Sequence, residues 1–412
     1  AAPVRRRDGD AGVKAPALAL TAAIALAACS TAEDGREAVV LWHSYAGEER
    51  AALEEVATAV NERSTELRLV LVSVPHEALA DKLTNAIPNG NGPDLFIYPG
   101  HDRIGDWVAG GLIEPIEYYV SEATADRFAA DAIAAMAYQG SLYGLPLAVK
   151  SVALYYRTDR VARPPATTDE LVALGRRLTS DGRFALVYDN TKLYGHAAWL
   201  HGFGSRVFDE RGQLALDTPE AIAAARFARE IGGAGGIVPP GMTGTLVSTL
   251  FNEGKAAMAI SGPWLQAELE ADVPWKVASL PTVSATGRPA APFLGAEGIF
   301  LSSRARDMDA AFALMDELAG DDSALRRARR GRQVVPNRAA YREPDIGGDP
   351  VLAAFQAQAE ASVPMPATPA MRMVWTPYET ALQKIIGQGA DPAATLAAAE
   401  REIAGYLEGA GQ

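Results

Sequence analysis

The run from Glu37 to Ile116 most narrows what this chain can fold into, because apolar extended stretches alternate there with helix-patterned ones. "EAVVLWHSYAG" reads as a strand ending at Trp42, and "EERAALEEVATAVNER" sets Leu53, Val56 and Val60 on one helical face. "LRLVLVSV" is a second strand, and "HEALADKLTNAIPNG" is a helix closed by Asn-Gly. "DLFIYP" is a third strand, and "IGDWVAGGLIEPI" is a helix stopped by glycines. Strands separated by helices predict an α/β fold with a mostly parallel sheet and helices on both faces. The chain has 412 residues, 49% of them hydrophobic, which at roughly 150 residues per domain suggests two or three domains.

Further along, "GSLYGLPLAVKSVALYYRTD" places two apolar strands on either side of Lys150 and Ser151, a join able to cross between lobes. A second α/β region follows through "TTDELVALGRRL", "RFALVYDN", "LYGHAAWLHGFG" and "TPEAIAAARFAREI". "FNEGKAAMAISGPWLQAEL" contains a strand from Ala256 to Ile260 and then a turn and new helix near Trp264. "AEGIFLSS" is another strand; "MDAAFALMDELAG", "DPVLAAFQAQAE" and the tail from Tyr378 read as helices.

The net charge of −13 and the lack of a basic stripe argue against nucleic-acid binding, since phosphates would be repelled. The sole cysteine rules out an internal disulfide and an all-cysteine metal site. Its setting is informative. Arg5, Arg6, Arg7 and Lys14 precede a mostly apolar run from Ala15 to Ala28, which is short for a bilayer span. "LAAC" resembles a bacterial lipoprotein box, which would make residues 1–28 a signal peptide, Cys29 the lipidated first residue and residues 29–37 a tether.

The stretch "GPDLFIYPGHDRIGDW" runs an apolar strand directly into His101, Asp102 and Arg103. Together with "LWHSYAG", "GLPLAVKSVALYYRTD", "FNEGKAAMAISGPW" and "MPATPAMRMVWTPYETAL", in this order, it resembles the extracellular solute-binding proteins of ABC sugar transporters, the maltose/maltodextrin-binding type. The resemblance spans about Val39 to Leu407. It implies a periplasmic-binding-protein-like fold of two α/β lobes joined by a hinge, with the ligand held in the cleft. Carried onto this chain, the N-terminal lobe is residues 38–148 and 298–345, and the C-terminal lobe is residues 153–292 and 350–408. Crossings then fall near Lys150 and Ser151 and near Gly295 to Gly298. The implied protein is an exported, membrane-anchored lipoprotein that acts as a monomer without cofactor, metal or catalytic residue. It delivers a maltose- or maltodextrin-like sugar to a permease, with an ATPase acting indirectly.

A sugar presents hydroxyls at its ring edge and C–H groups on its faces, so a binder combines flat aromatics with fixed polar groups. The resemblance assigns Asp102 and Arg103 to hydroxyls and Trp264, Trp375 and Tyr194 to ring faces, with Met365 an apolar contact. Ser44 and Tyr45 align with an Asp-Lys pair of the family, and Lys150 and Lys192 with carboxylates. Donors thus stand in place of acceptors. That keeps open an anionic or substituted sugar, or a phosphorylated polyol, as ligand; for Lys150 a lobe-bridging salt link is the other reading. His101 is expected to be structural, and Glu253 and Trp199 to pack or lie at the surface. A glycoside hydrolase would need two carboxylates flanking one bond, about 5–9 Å apart. Asp102 is the only pocket carboxylate identified, and its neighbour Arg103 favours a low pKa, which suits binding better than acid catalysis.

Overall fold

The computed structural model describes residues 35–180 and 182–410; Cys29 and the signal segment lie outside them. Two sheets organise the chain. The first contains β1 (Glu37–His43), β2 (Leu67–Ser73), β3 (Leu95–Tyr98) and β4 (Gly144–Lys150). The second contains β5 (Ala153–Arg157), β6 (Phe184–Val187), β7 (Ala256–Ser261) and β8 (Trp275–Ala278). Two later strands, β9 (Phe293–Leu301) and β10 (Val363–Pro364), return to the first sheet. Its order is β10-β9-β3-β1-β2, with β4 also paired to β9.

The opening alternation builds what its pattern predicts. α1 (Gly47–Arg63) buries Leu53, Val56 and Val60, and α2 (His76–Ala86) buries Leu79 and Leu83. Each fully buried leucine or valine is worth about 1.5–3 kcal/mol. β1 pairs in parallel with both β2 and β3. All four residues of β3 are buried because both faces of the sheet are covered. Leu95 and Ile97 enter the core beneath α1, whereas Phe96 and Tyr98 pack with Trp107 of α3 (Ile104–Ala109). The aspartate before β3 is structural: Asp94 accepts the Val40 N–H at 2.8 Å and is ion-paired with Arg306.

Both sheets depart from a mostly parallel arrangement; in the first, β9 runs antiparallel to β3 and β4, and the second departs further. Its order is β8-β5-β7-β6, with β5 antiparallel to both β8 and β7 and only β6 parallel to β7. β5 enters this sheet directly from β4, without a helix, and that entry fixes its direction. The surrounding helices start on threonine caps: Thr167 for α4 (Thr168–Leu178), Thr218 for α6 (Pro219–Gly232) and Thr243 for α7 (Gly244–Asn252). Such a cap is worth about 1 kcal/mol. α5 (Leu193–Gly202) and α6 pack against the two tail helices, α11 (Pro369–Gln388) and α12 (Pro392–Ala410). The tail helix is interrupted at Gly389, whose φ of 71° is left-handed and suits glycine. No described helix is long and apolar enough to cross a membrane.

Three backbone segments lie side by side between the sheets. Ser151, at the β4–β5 join, donates to the Phe293 carbonyl at 3.0 Å and lies 2.9 Å from the Ser362 hydroxyl. β9 starts at Phe293, three residues before the "AEGIFLSS" expectation, because Phe293 and Leu294 pair with Val363 and Pro364. Residues 334–345, assigned from the resemblance to the N-terminal lobe, and the adjoining Ile346 straddle the two. Val334, Val335, Ala340 and Ile346 pack into the second sheet's core. Nearby, Asn337 bonds the Ala319 carbonyl and Arg338 N–H bonds Arg127, both in the first lobe. Helix α9 (Asp321–Arg329), which precedes this segment, likewise gives Ala324 and Ala328 to the second core while Arg326 pairs with Glu55 of α1.

Candidate functional site

β3 ends at Tyr98, and Gly100 lets the chain turn so that Asp102 folds back over it. A Cβ at residue 100 would sit 2.6 Å from Asp102 Oδ1 and 3.5 Å from the Met365 methyl. Asp102 and Arg103 stay partly exposed at the start of α3, and Arg103 lies beside the Tyr98 hydroxyl. The pKa of Asp102 differs from the sequence expectation. Burial raises it, and Arg103 only partly opposes the shift. Tyr98 itself is buried, its ring perpendicular to that of Trp107 with centroids 4.9 Å apart.

The aromatic candidates come together. Trp264 stands on the turn after β7, its indole laid over Gly262, where a Cβ would come within 2.0 Å of the ring. The Tyr194 ring, on the first turn of α5, is 6.3 Å from Trp264 and 6.4 Å from Phe293. Phe293 in turn is 6.2 Å from Trp375 of α11. The result is an arc of four rings in which Trp264, Tyr194 and Trp375 remain half-exposed and Phe293 forms the buried floor. The Tyr194 hydroxyl and Lys150 both lie beside Gly295, and Met365, whose methyl meets the Asp102 turn at Gly100, packs in one cluster with Phe293 and Trp375, so the arc meets the Asp102 wall at the crossing strands. Trp199 lies apart: it is fully buried and its N–H donates to Tyr188. Glu253 pairs with Lys255 at the surface.

Both candidate lysines are already engaged. Lys150 Nζ lies 2.9 Å from Glu297 and 3.3 Å from Glu49, and sits over the Tyr45 ring at 5.8 Å. Tyr45 is buried, and its hydroxyl donates to the other oxygen of Glu297. Burial lowers the Lys150 pKa, but the two carboxylates outweigh it and the net shift is upward. For Glu297 burial wins over Lys150, and its pKa rises. The buried Arg327 completes the cluster, donating to the Leu147 carbonyl and to Gln333. The Tyr45 hydroxyl is therefore committed to the protein, and Lys150 forms a salt link that does not bridge the lobes: Glu49 lies on α1 and Glu297 on β9, both with Lys150 in the first lobe. Ser44, next to Tyr45, is partly exposed. Lys192, at the cap of α5, pairs with Glu379 at 2.7 Å. Glu379 lies one helical turn beyond Trp375 and hence on the same face of α11.

Sequence reasoning missed Glu297, Glu49, Glu379 and Phe293. Glu297 had one local signal, a carboxylate inside the apolar "AEGIFL", because a buried charge demands a partner. For Glu49 and Glu379 there was none, since each partner is more than a hundred residues away in sequence.

Residues 46–325 match the family model described as bacterial extracellular solute-binding protein. The chain is 28% identical to the maltotriose-binding protein of Pyrococcus abyssi over 92% of this chain and 84% of that protein. It is 28% identical to the maltooligosaccharide ABC transporter solute-binding lipoprotein of Streptococcus pneumoniae, over 81% of this chain and 80% of that one. Among solved structures, the Thermus thermophilus maltotriose binding protein bound with maltotriose superposes with a TM-score of 0.80 at 27% identity, covering 90% of this chain and 100% of the other.

Proposed function

Because the chain belongs to the bacterial extracellular solute-binding protein family, we propose that it captures a neutral, maltodextrin-like oligosaccharide between two lobes and hands it to an ABC importer. The observation that carries this reading is the arc of Trp264, Tyr194, Phe293 and Trp375 meeting Asp102 at the crossing strands. Half-exposed rings cover sugar faces, while Asp102 accepts from and Arg103 donates to ring hydroxyls. Ligand touching both walls favours the closed arrangement by the difference in its affinity for the two states. The adjacent segments between the sheets are where the backbone would absorb that motion. The maltotriose and maltooligosaccharide named for the relatives support the sugar class.

The paired lysines bear on ligand charge. Of the three cations suited to an anionic sugar, Lys150 and Lys192 are each held by carboxylates, and Arg103 lies beside the Asp102 carboxylate. Their engagement favours the neutral ligand over the acidic one. Cys29 in "LAAC", with a lipoprotein among the relatives, supports an exported domain held at a membrane by a lipid anchor. The permease partner and the monomeric state belong to the same reading.

The test is calorimetry with maltotriose, a galacto-oligosaccharide and an aldonate of matched length, followed by mass spectrometry of the recovered sugar. The expected result is saturable binding of one neutral oligosaccharide, with weak or no binding of the acid and no cleavage. Binding confined to the acid, or hydrolysis lost on Asp102→Ala, would overturn it.

A further inference from the structure

His101 is 2% exposed and both its ring nitrogens bond to backbone on other segments. Nε2 lies 2.8 Å from the Met365 carbonyl, directly after β10. Nδ1 accepts the Ala296 N–H at 3.1 Å, on β9. A carbonyl can only accept and an amide N–H only donate, so the ring is neutral with its proton on Nε2. The two partners lie 264 and 195 residues away in sequence. They flank the places that matter: Met365 touches the Asp102 turn, and Ala296 precedes Glu297 of the buried ion cluster.

We infer that His101 is a positioning residue that fastens the Asp102–Arg103 turn to two of the adjacent segments between the sheets, so that these side chains and Met365 keep one geometry as the lobes close. This rests on the proposed role of Asp102 and Met365 in ligand contact. The ring does not reach the ligand. Its effect passes through the donated bond to Met365, which sets the distance between that carbonyl segment and the polar turn. The accepted bond from Ala296 holds the turn against β9. Loosening either lets the first-lobe wall sample several placements, which weakens binding because the ligand must then select one of them.

Three variants separate positioning from plain stability. His101→Ala removes both bonds; His101→Gln can still donate to the Met365 carbonyl; His101→Asn can still accept from Ala296. Maltotriose affinity, thermal midpoint and hydrogen exchange are measured on each full-length variant. His101→Ala is expected to weaken maltotriose binding about 10-fold, the scale of one to two hydrogen bonds. His101→Gln is expected to regain most of that affinity, whereas His101→Asn regains thermal midpoint without affinity. Exchange at residues 102–104 and 364–366 should rise together in the alanine variant and fall together in the glutamine one. Equal rescue by Asn and Gln, or a lowered midpoint with unchanged affinity, would overturn the inference. Should wild-type protein fail to bind maltotriose, the sugar reading is what fails. Joint exchange at the two segments still supports the fastening role, and independent exchange refutes it.

Discussion

The two walls of the proposed sugar groove, one from each lobe, differ in how their side chains are held. On the first, His101 is bound to two backbone segments, Tyr45 and Lys150 to Glu297, and Nη1 of Arg327 to Leu147, while Arg327 Nε and Nη2 are buried without a hydrogen-bond partner among the described residues. On the second, Trp264, Tyr194 and Trp375 pack against neighbouring rings and the apolar core, Trp264 also over Gly262, and keep part of their surface exposed. A polar wall must be built before the ligand arrives, because a buried unpaired charge is costly. An aromatic wall can wait, because its gain comes from covering a face. Removing a residue from the first wall is therefore expected to cost fold stability, and from the second, affinity.

Acid challenges both lobes at once and has the largest expected effect. Burial lowers the pKa of His43 and His101 in the first lobe to about 4, and in the second lobe that of His201 to about 4 and His196 to about 3. These histidines are neutral when folded and protonate more readily when unfolded. Their stabilisation is full above about pH 6.5 and is lost as pH falls toward 4, at about 1.4 kcal/mol per pH unit for each. The raised carboxyls of Asp102 and Glu297 work in the opposite direction. Urea unfolding at several pH values checks the sum; stability flat from pH 6.5 to 4.5 would contradict it.

Next in size is the ion cluster. Lys150→Ala strands Glu297 in the core and is expected to cost about 3–5 kcal/mol. The double change Lys150→Met with Glu297→Gln removes both charges and leaves an acceptor for Tyr45, so most of the loss should return. If the single and double variants unfold alike in urea, the cluster does not hold the first wall. On the aromatic side, Trp264→Ala and Trp375→Ala are each expected to cost about 2 kcal/mol of sugar affinity, about 30-fold, with little change in unfolding midpoint. A stability loss as large as that of Lys150→Ala would erase the contrast between the walls. The smallest expected effect is Glu379→Gln. Its partner Lys192 is 49% exposed, and such a pair is worth under about 1 kcal/mol. The more telling readout is affinity for an aldonate, which should rise once Lys192 is freed.

The first lobe was legible because its signals are local. The 3.6-residue spacing of α1, the buried "LFIY" of β3 and the glycine stops each act within a few residues. The ligand candidates were legible only through the family resemblance: nothing within "SGPW" or "MRMVW" says that the two indoles lie in one arc. The antiparallel second sheet was hidden because β5 takes its direction from the crossing rather than from its own pattern. The roles of Lys150 and Lys192 were hidden because their carboxylate partners are distant in sequence, and a lysine's chemistry changes once it is paired. The same distance hid the straddling of residues 334–346.

The central claim is that one ligand engages both walls together. Hydrogen exchange with and without the sugar identified by calorimetry tests it most directly. Binding is expected to slow exchange at residues 101–105 and at residues 262–266 in the same titration, with the segments near Ser151 and Ser362 following. Protection confined to one wall at saturating sugar would contradict the account.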